Sequence, residues 1–176
     1  MADFKTAEPY ILLNEGGYAR VPGDSGGETY EGISRNDFPH WQGWNVIDAH
    51  QPLDHGEIIP DPSLAADVDS FYQENFWNGI KGDEIENQAV ATYLYDFYVN
   101  AMHNTTKCLQ RVLGITADGA FGSGTLSAVN NYNGDLLLDL HTARKNYYLS
   151  IAVGHNAQFL SGWVNRANNL YAKLRA

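Results

Sequence analysis

The chain has 176 residues, 44% apolar and only 18% charged, which allows a hydrophobic core without disulfide or metal staples and excludes a disordered chain. A single cysteine, Cys108, excludes an internal disulfide and a multi-cysteine zinc site. The formal net charge of −10 argues against nucleic-acid binding, which needs a basic face, and no apolar run approaches the ~18 residues of a membrane span.

Residues 3–15 carry Phe4, Ala7, Ile11 and Leu12 at helical spacing and close on Gly16-Gly17, predicting a first helix. Residues 16–62 hold five of the six prolines and eight of the 17 glycines, a long loop region with short strands expected near 29–34. A stretch of that length without regular structure inside a domain is usually functional. Asp61-Pro62 then reads as an N-cap followed by proline at the first helical position, with Val68, Phe71, Tyr72 and Phe76 as the buried stripe. Further helices are predicted over 86–102, around Leu109–Leu113, over 125–131, over 135–153 and over 158–174. The expected fold is mainly α, with a small loop or β element near the N-terminus.

Charge divides the chain. Residues 1–96 hold 18 acids and 4 bases, whereas residues 97–176 hold 3 acids and 7 bases, so the second part suits contact with an anionic polymer or simply has a differently solvated surface. Sixteen asparagines and 11 tyrosines suit hydrogen bonding and stacking on sugars. The N-terminal Met1-Ala2-Asp3-Phe4-Lys5 lacks the basic start and apolar stretch of a signal peptide. If the protein works outside the cytoplasm, another agent must release it.

Gly23-Asp24-Ser25-Gly26-Gly27 resembles the surroundings of a nucleophilic serine. A Pro-Gly turn precedes it where an α/β-hydrolase elbow needs a strand, and no histidine lies upstream as a trypsin-like enzyme needs. His40, His50 and His55 lie among aspartates but lack fixed ligand spacing, so no metal or cofactor is expected. Trp41, Trp44 and Trp77 read as core residues in preference to sugar platforms, and Cys108 as a small buried hydrophobe.

Glu15 is the more informative carboxylate. With Ile11 and Leu12 one turn behind it at the end of a helix, it sits where a carboxylic acid keeps its proton, as a general acid must. Asp24 lies in a polar, glycine-rich loop that favours ionisation, and Thr29 follows after four intervening residues. Two carboxylates in contrasting settings divide the labour of glycoside hydrolysis.

The strings Glu15-Gly16-Gly17-Tyr18, Asp24-Ser25-Gly26-Gly27-Glu28-Thr29 and Gly32-Ile33-Ser34 resemble the signature of glycoside hydrolase family 108, lysozyme-like N-acetylmuramidases of phage lysis cassettes and secretion-activator proteins. Asp96-Phe97-Tyr98-Val99-Asn100, Leu109-Gln110, Asp118-Gly119-x-x-Gly122-x-x-Thr125 and Gly162-Trp163-x-x-Arg166 continue the resemblance in order. One departure is that Asn100 is followed by Ala101-Met102 where the family often has Ser-Gly. The resemblance implies a lysozyme-like α+β fold with a catalytic region over 1–103 and a helical peptidoglycan-binding region over 104–176, packed into one globular unit. It implies cleavage of the β-1,4 bond between N-acetylmuramic acid and N-acetylglucosamine, with Glu15, Asp24 and Thr29 catalytic. Tyr18, Glu28, Asn100, Asp118 and Thr125 would contact substrate. Peptidoglycan is the expected partner of a monomer released by a holin or a secretion partner, with action at the wall or in the periplasm. A lytic transglycosylase and a non-catalytic wall-binding or secretion-accessory protein are the alternatives.

Overall fold

A computed structural model of the protein describes residues 1–13, 15–20 and 27–176. Its elements in chain order are α1 (Phe4–Leu12), β1 (Tyr18–Arg20), β2 (Glu28–Tyr30), β3 (Ile33–Ser34), α2 (Gly43–Ala49), α3 (Pro62–Tyr72), α4 (Gln88–Ala101), α5 (His103–Val112), α6 (Ser123–Asn130), α7 (Leu136–Ile151) and α8 (Leu160–Arg175). The first helix ends at Leu12, three residues short of the predicted end, because the backbone turns there and Glu15 N–H bonds the Leu12 carbonyl at 3.1 Å. Short π and 3-10 turns over Gln73–Trp77, Asn78–Ile80 and Gly82–Glu84 join α3 to α4. The described chain divides into two compact units, Glu8–Glu74, and Met1–Ala7 with Asn75–Ala176.

In the first unit β1, β2 and β3 form an antiparallel sheet in that order. Tyr18 pairs with Tyr30, and Tyr30 with Ile33. Glu31 and Gly32 form the two-residue turn between β2 and β3, at φ of 44° and 80°. Two positive values are what a type I′ turn requires, and its twist matches that of the strands it joins. Glutamate tolerates that conformation at a cost that glycine avoids.

Helix α3 begins as predicted. The Asp61 carboxylate accepts from Ser63 N–H at 2.7 Å and Leu64 N–H at 3.2 Å, with Pro62 at the first helical position. Leu64, Val68, Phe71 and Tyr72 line its buried side. Helix α2, unpredicted within the Pro- and Gly-rich stretch, buries Trp44 and Ile47. Phe38, Trp41 and Phe71 pack edge to face beside it, and Trp41 meets Trp44 at 5.2 Å.

Helix α4 organises the second unit. Every residue from Val90 to Tyr98 is buried, so this helix is a central core element with no solvent face over that span. Helices α5, α7 and α8 pack against it. Trp77 is fully buried among Phe4 and Tyr95, and Cys108 is buried in α5.

Candidate active site

The Glu-Gly-Gly-Tyr string has a physical reason at each place. Glu15 is half-buried in the turn after α1. Gly16 takes a positive φ of 68°. At Gly17 a β-carbon would lie 2.3 Å from the Glu57 carbonyl oxygen, so the backbone of residues 56 and 57 requires glycine opposite it. Tyr18 N–H then bonds that Glu57 carbonyl at 2.8 Å, and Gly56 N–H bonds the Tyr18 carbonyl at 2.7 Å. The segment carrying Glu15 is thereby held by backbone bonds on the residues that follow it.

Gly32 brings the hairpin turn to the same carboxylate. A β-carbon there would meet Glu15 Oε2 at 2.6 Å and the Tyr72 hydroxyl at 2.7 Å. Any other residue at position 32 would displace one or the other. Glu15, Gly32 and Tyr72 come together from three separate stretches of the first unit, and only the first two belong to motifs visible in the sequence. Glu31, beside them, has its carboxyl raised above the usual carboxylate range by burial and, secondarily, by Asp69.

Tyr18 and Glu28 are also brought together, but as structural partners. Tyr18 is buried, and its hydroxyl donates to Glu28 Oε1 at 2.9 Å. Gln51 donates to the same oxygen at 3.2 Å, while Glu28 Oε2 pairs with Arg35 at 2.6 Å. Arg35 in turn grips Asp48 through two nitrogens and lies over the Trp44 ring at 4.4 Å. Glu28 is thus both the Tyr18 acceptor and an ion-pair partner of Arg35. Thr29 sits mid-strand opposite Ala19 and Ser34, half-buried. By strand alternation it faces away from Glu28 and Tyr30. Asp24 and the neighbouring Ser25 lie outside the described residues.

The remaining expected contacts belong to the second unit. Asn100 is exposed at the end of α4 and donates to the Asp96 carbonyl at 2.6 Å. Asp118 and Thr125 meet around buried Gln110, whose amide nitrogen lies 2.7 Å from Asp118 Oδ1 and 3.2 Å from Thr125 Oγ1. Gln110 Oε1 accepts from Gly119 N–H at 2.9 Å, and Asp118 also accepts from Ala120 N–H at 2.8 Å. Those two backbone and amide donors hold the Asp118 carboxyl below the usual carboxylate range. This loop borders an open cavity of about 350 Å³ whose walls include Ile115, Asp118, Gly122 and Thr125.

A half-exposed carboxyl held at a turn can hand a proton to a bridging oxygen, the step that acid-assisted bond cleavage needs. The family model described as glycosyl hydrolase 108 matches residues 9–101, and the one described as a predicted peptidoglycan domain matches residues 104–168. No curated protein matches the chain. Among solved structures, SagA of Brucella abortus is 28% identical and superimposes with a TM-score of 0.68, over 97% of this chain and 92% of that one. The fold is mainly α and lysozyme-like. The chain belongs to the glycosyl hydrolase 108 family and is a glycosidase of peptidoglycan that carries a peptidoglycan-binding segment behind its hydrolase segment.

Proposed function

We propose that the protein is an N-acetylmuramidase that hydrolyses the β-1,4 bond between N-acetylmuramic acid and N-acetylglucosamine, with Glu15 as general acid. The observation that carries this reading is the convergence of Gly17, Gly32 and Tyr72 around the Glu15 segment: a glycine is spared at two close approaches to hold one carboxyl in place. In the reaction the leaving oxygen takes the Glu15 proton as its bond to C1 breaks. Water then adds to C1 and gives up a proton to a carboxylate, the role assigned to Asp24, with Thr29 bordering the cleft. The Asp118–Thr125 loop and its cavity would contact the glycan.

Zymography of wild type and Glu15→Gln, with mass spectrometry of released muropeptides, tests this. The Gln variant should lose wall clearing by about 10² or more, the scale of lost general acid catalysis, while staying folded. Reducing ends on the wild-type products support hydrolysis; anhydro ends identify a transglycosylase, and wall binding without clearing a binding module. A Gln variant that clears like wild type removes Glu15 from the mechanism.

A further inference from the structure

Tyr72 carries no chemical step in the reading above, yet its hydroxyl and the Glu15 carboxyl both lie against Gly32. It closes α3, is 2% exposed, and its hydroxyl donates to the Glu31 carbonyl at 2.7 Å. That carbonyl is turned toward it by the positive-φ turn at Glu31-Gly32. The same hydroxyl oxygen and Glu15 Oε2 bear on one face of Gly32.

The hydrogen bond to Glu31 ties the hairpin turn to the end of α3, and Gly32 of the same turn lies against Glu15 Oε2. We propose that Tyr72 is a positioning residue for Glu15, fixing the turn against which the carboxyl is set. This rests on Glu15 being the general acid.

The test is Tyr72→Phe, which keeps the ring and removes only the oxygen. On soluble glycan fragments kcat should fall about tenfold to a hundredfold with KM within about twofold, the pattern of a misplaced catalytic group. A folded Phe variant with unchanged kcat overturns the proposal. Should that variant not fold, Gly32→Ala pushes a methyl toward the Glu15 carboxyl and the Tyr72 hydroxyl while leaving the phenol present; unchanged kcat there overturns it equally. Glu15→Gln measured alongside separates the two ideas. An inactive Gln variant with an unaffected Phe variant leaves the general acid standing and removes Tyr72, whereas an active Gln variant removes both.

Discussion

Asp96 and Arg144 form an ion pair of 2.6 Å whose side chains are 1% and 0% exposed. The second Asp96 oxygen takes Arg166, 2.9 Å from its terminal nitrogen and 3.0 Å from Nε. Arg144 also donates to the Tyr148 hydroxyl at 2.9 Å and lies 5.0 to 5.4 Å from the ring centres of Phe97, Tyr93 and Tyr148. Burial disfavours the Arg144 charge, but Asp96 and the two tyrosine hydroxyls outweigh it and leave the guanidinium more basic than usual. Among the described residues its Nη1 has no hydrogen-bond partner and is set among those aromatic faces. Asp96 comes from the hydrolase match, and both arginines from the peptidoglycan-domain match. The two matched segments therefore share a core.

Removing the shared anion should be severe. Asp96→Ala leaves two guanidinium groups facing an uncompensated buried site and should cost about 3–5 kcal/mol, lowering Tm by roughly 10 °C. Thermal unfolding checks it; a loss below about 1 kcal/mol would mean that the aromatic faces suffice to hold Arg144. For the same reason the chain cut after residue 103 should not fold, because α4 would expose the side that packs on α5, α7 and α8.

Met102 links α4 to α5 at φ 43° and ψ −120°, a backbone region that side chains other than glycine's avoid. Its N–H bonds the Tyr98 carbonyl at 2.8 Å and its own carbonyl takes Thr105 N–H at 2.9 Å, so the sharp turn is fixed from both sides. The side chain is 47% exposed and contributes little packing. Met102→Gly should therefore stabilise the protein by about 1 kcal/mol, the relieved strain exceeding the extra entropy of an unfolded glycine. A denaturation midpoint that falls would show that the methionine side chain matters more than the strain.

His141 predicts a pH dependence. It is 6% exposed, stacked on Tyr171 at 4.3 Å, with Nδ1 2.9 Å from the Tyr93 hydroxyl. Burial, helped by Lys145 and Arg144, pushes it down from 6.5 to about 4. Between those values the unfolded chain binds a proton that the folded one refuses, so stability falls as pH drops below 6.5 and levels off below about 4. The loss amounts to at most about 3 kcal/mol. His141→Gln removes this component, so the difference between the two unfolding curves should change across that window and stay flat above pH 7. Parallel curves throughout would remove His141 from the acid sensitivity.

Local signals were legible in the sequence and distant partnerships were not. Asp61-Pro62 announces the start of α3 because capping is a contact among neighbours. The apolar spacings announce α4 to α8 for the same reason. Helix α2 escaped because seven residues opening on a glycine carry too little periodicity to stand out in a Pro- and Gly-rich stretch. Tyr72 reads as one more member of an apolar stripe, and only the hairpin, 41 residues away, makes its hydroxyl meaningful. Asp96 sits in a recognisable motif, but its partners lie 48 and 70 residues on.

That last point reshapes the basic second half of the chain. Arg144 and Arg166, which count toward its positive charge, are spent on Asp96, and Arg175 is paired with Asp135. The cations left to meet a polyanion are Lys107, Arg111, Lys145 and Lys173, all half-buried or exposed. The stem of Lys107 also runs beside Gly119, in the loop that Gln110 ties together. Neutralising these four with glutamine should weaken binding to whole sacculi by about tenfold at low salt, and by less at physiological ionic strength, where exposed charges are screened within ~8 Å. KM on sacculi should rise, while turnover on saturating short fragments stays unchanged, because contacts felt equally in ground and transition states do not speed the chemical step. Sacculus pull-down of the folded variant at two salt concentrations measures it. Unchanged binding at low salt would leave the walls of the Asp118–Thr125 cavity, and not surface charge, as the source of affinity for the wall.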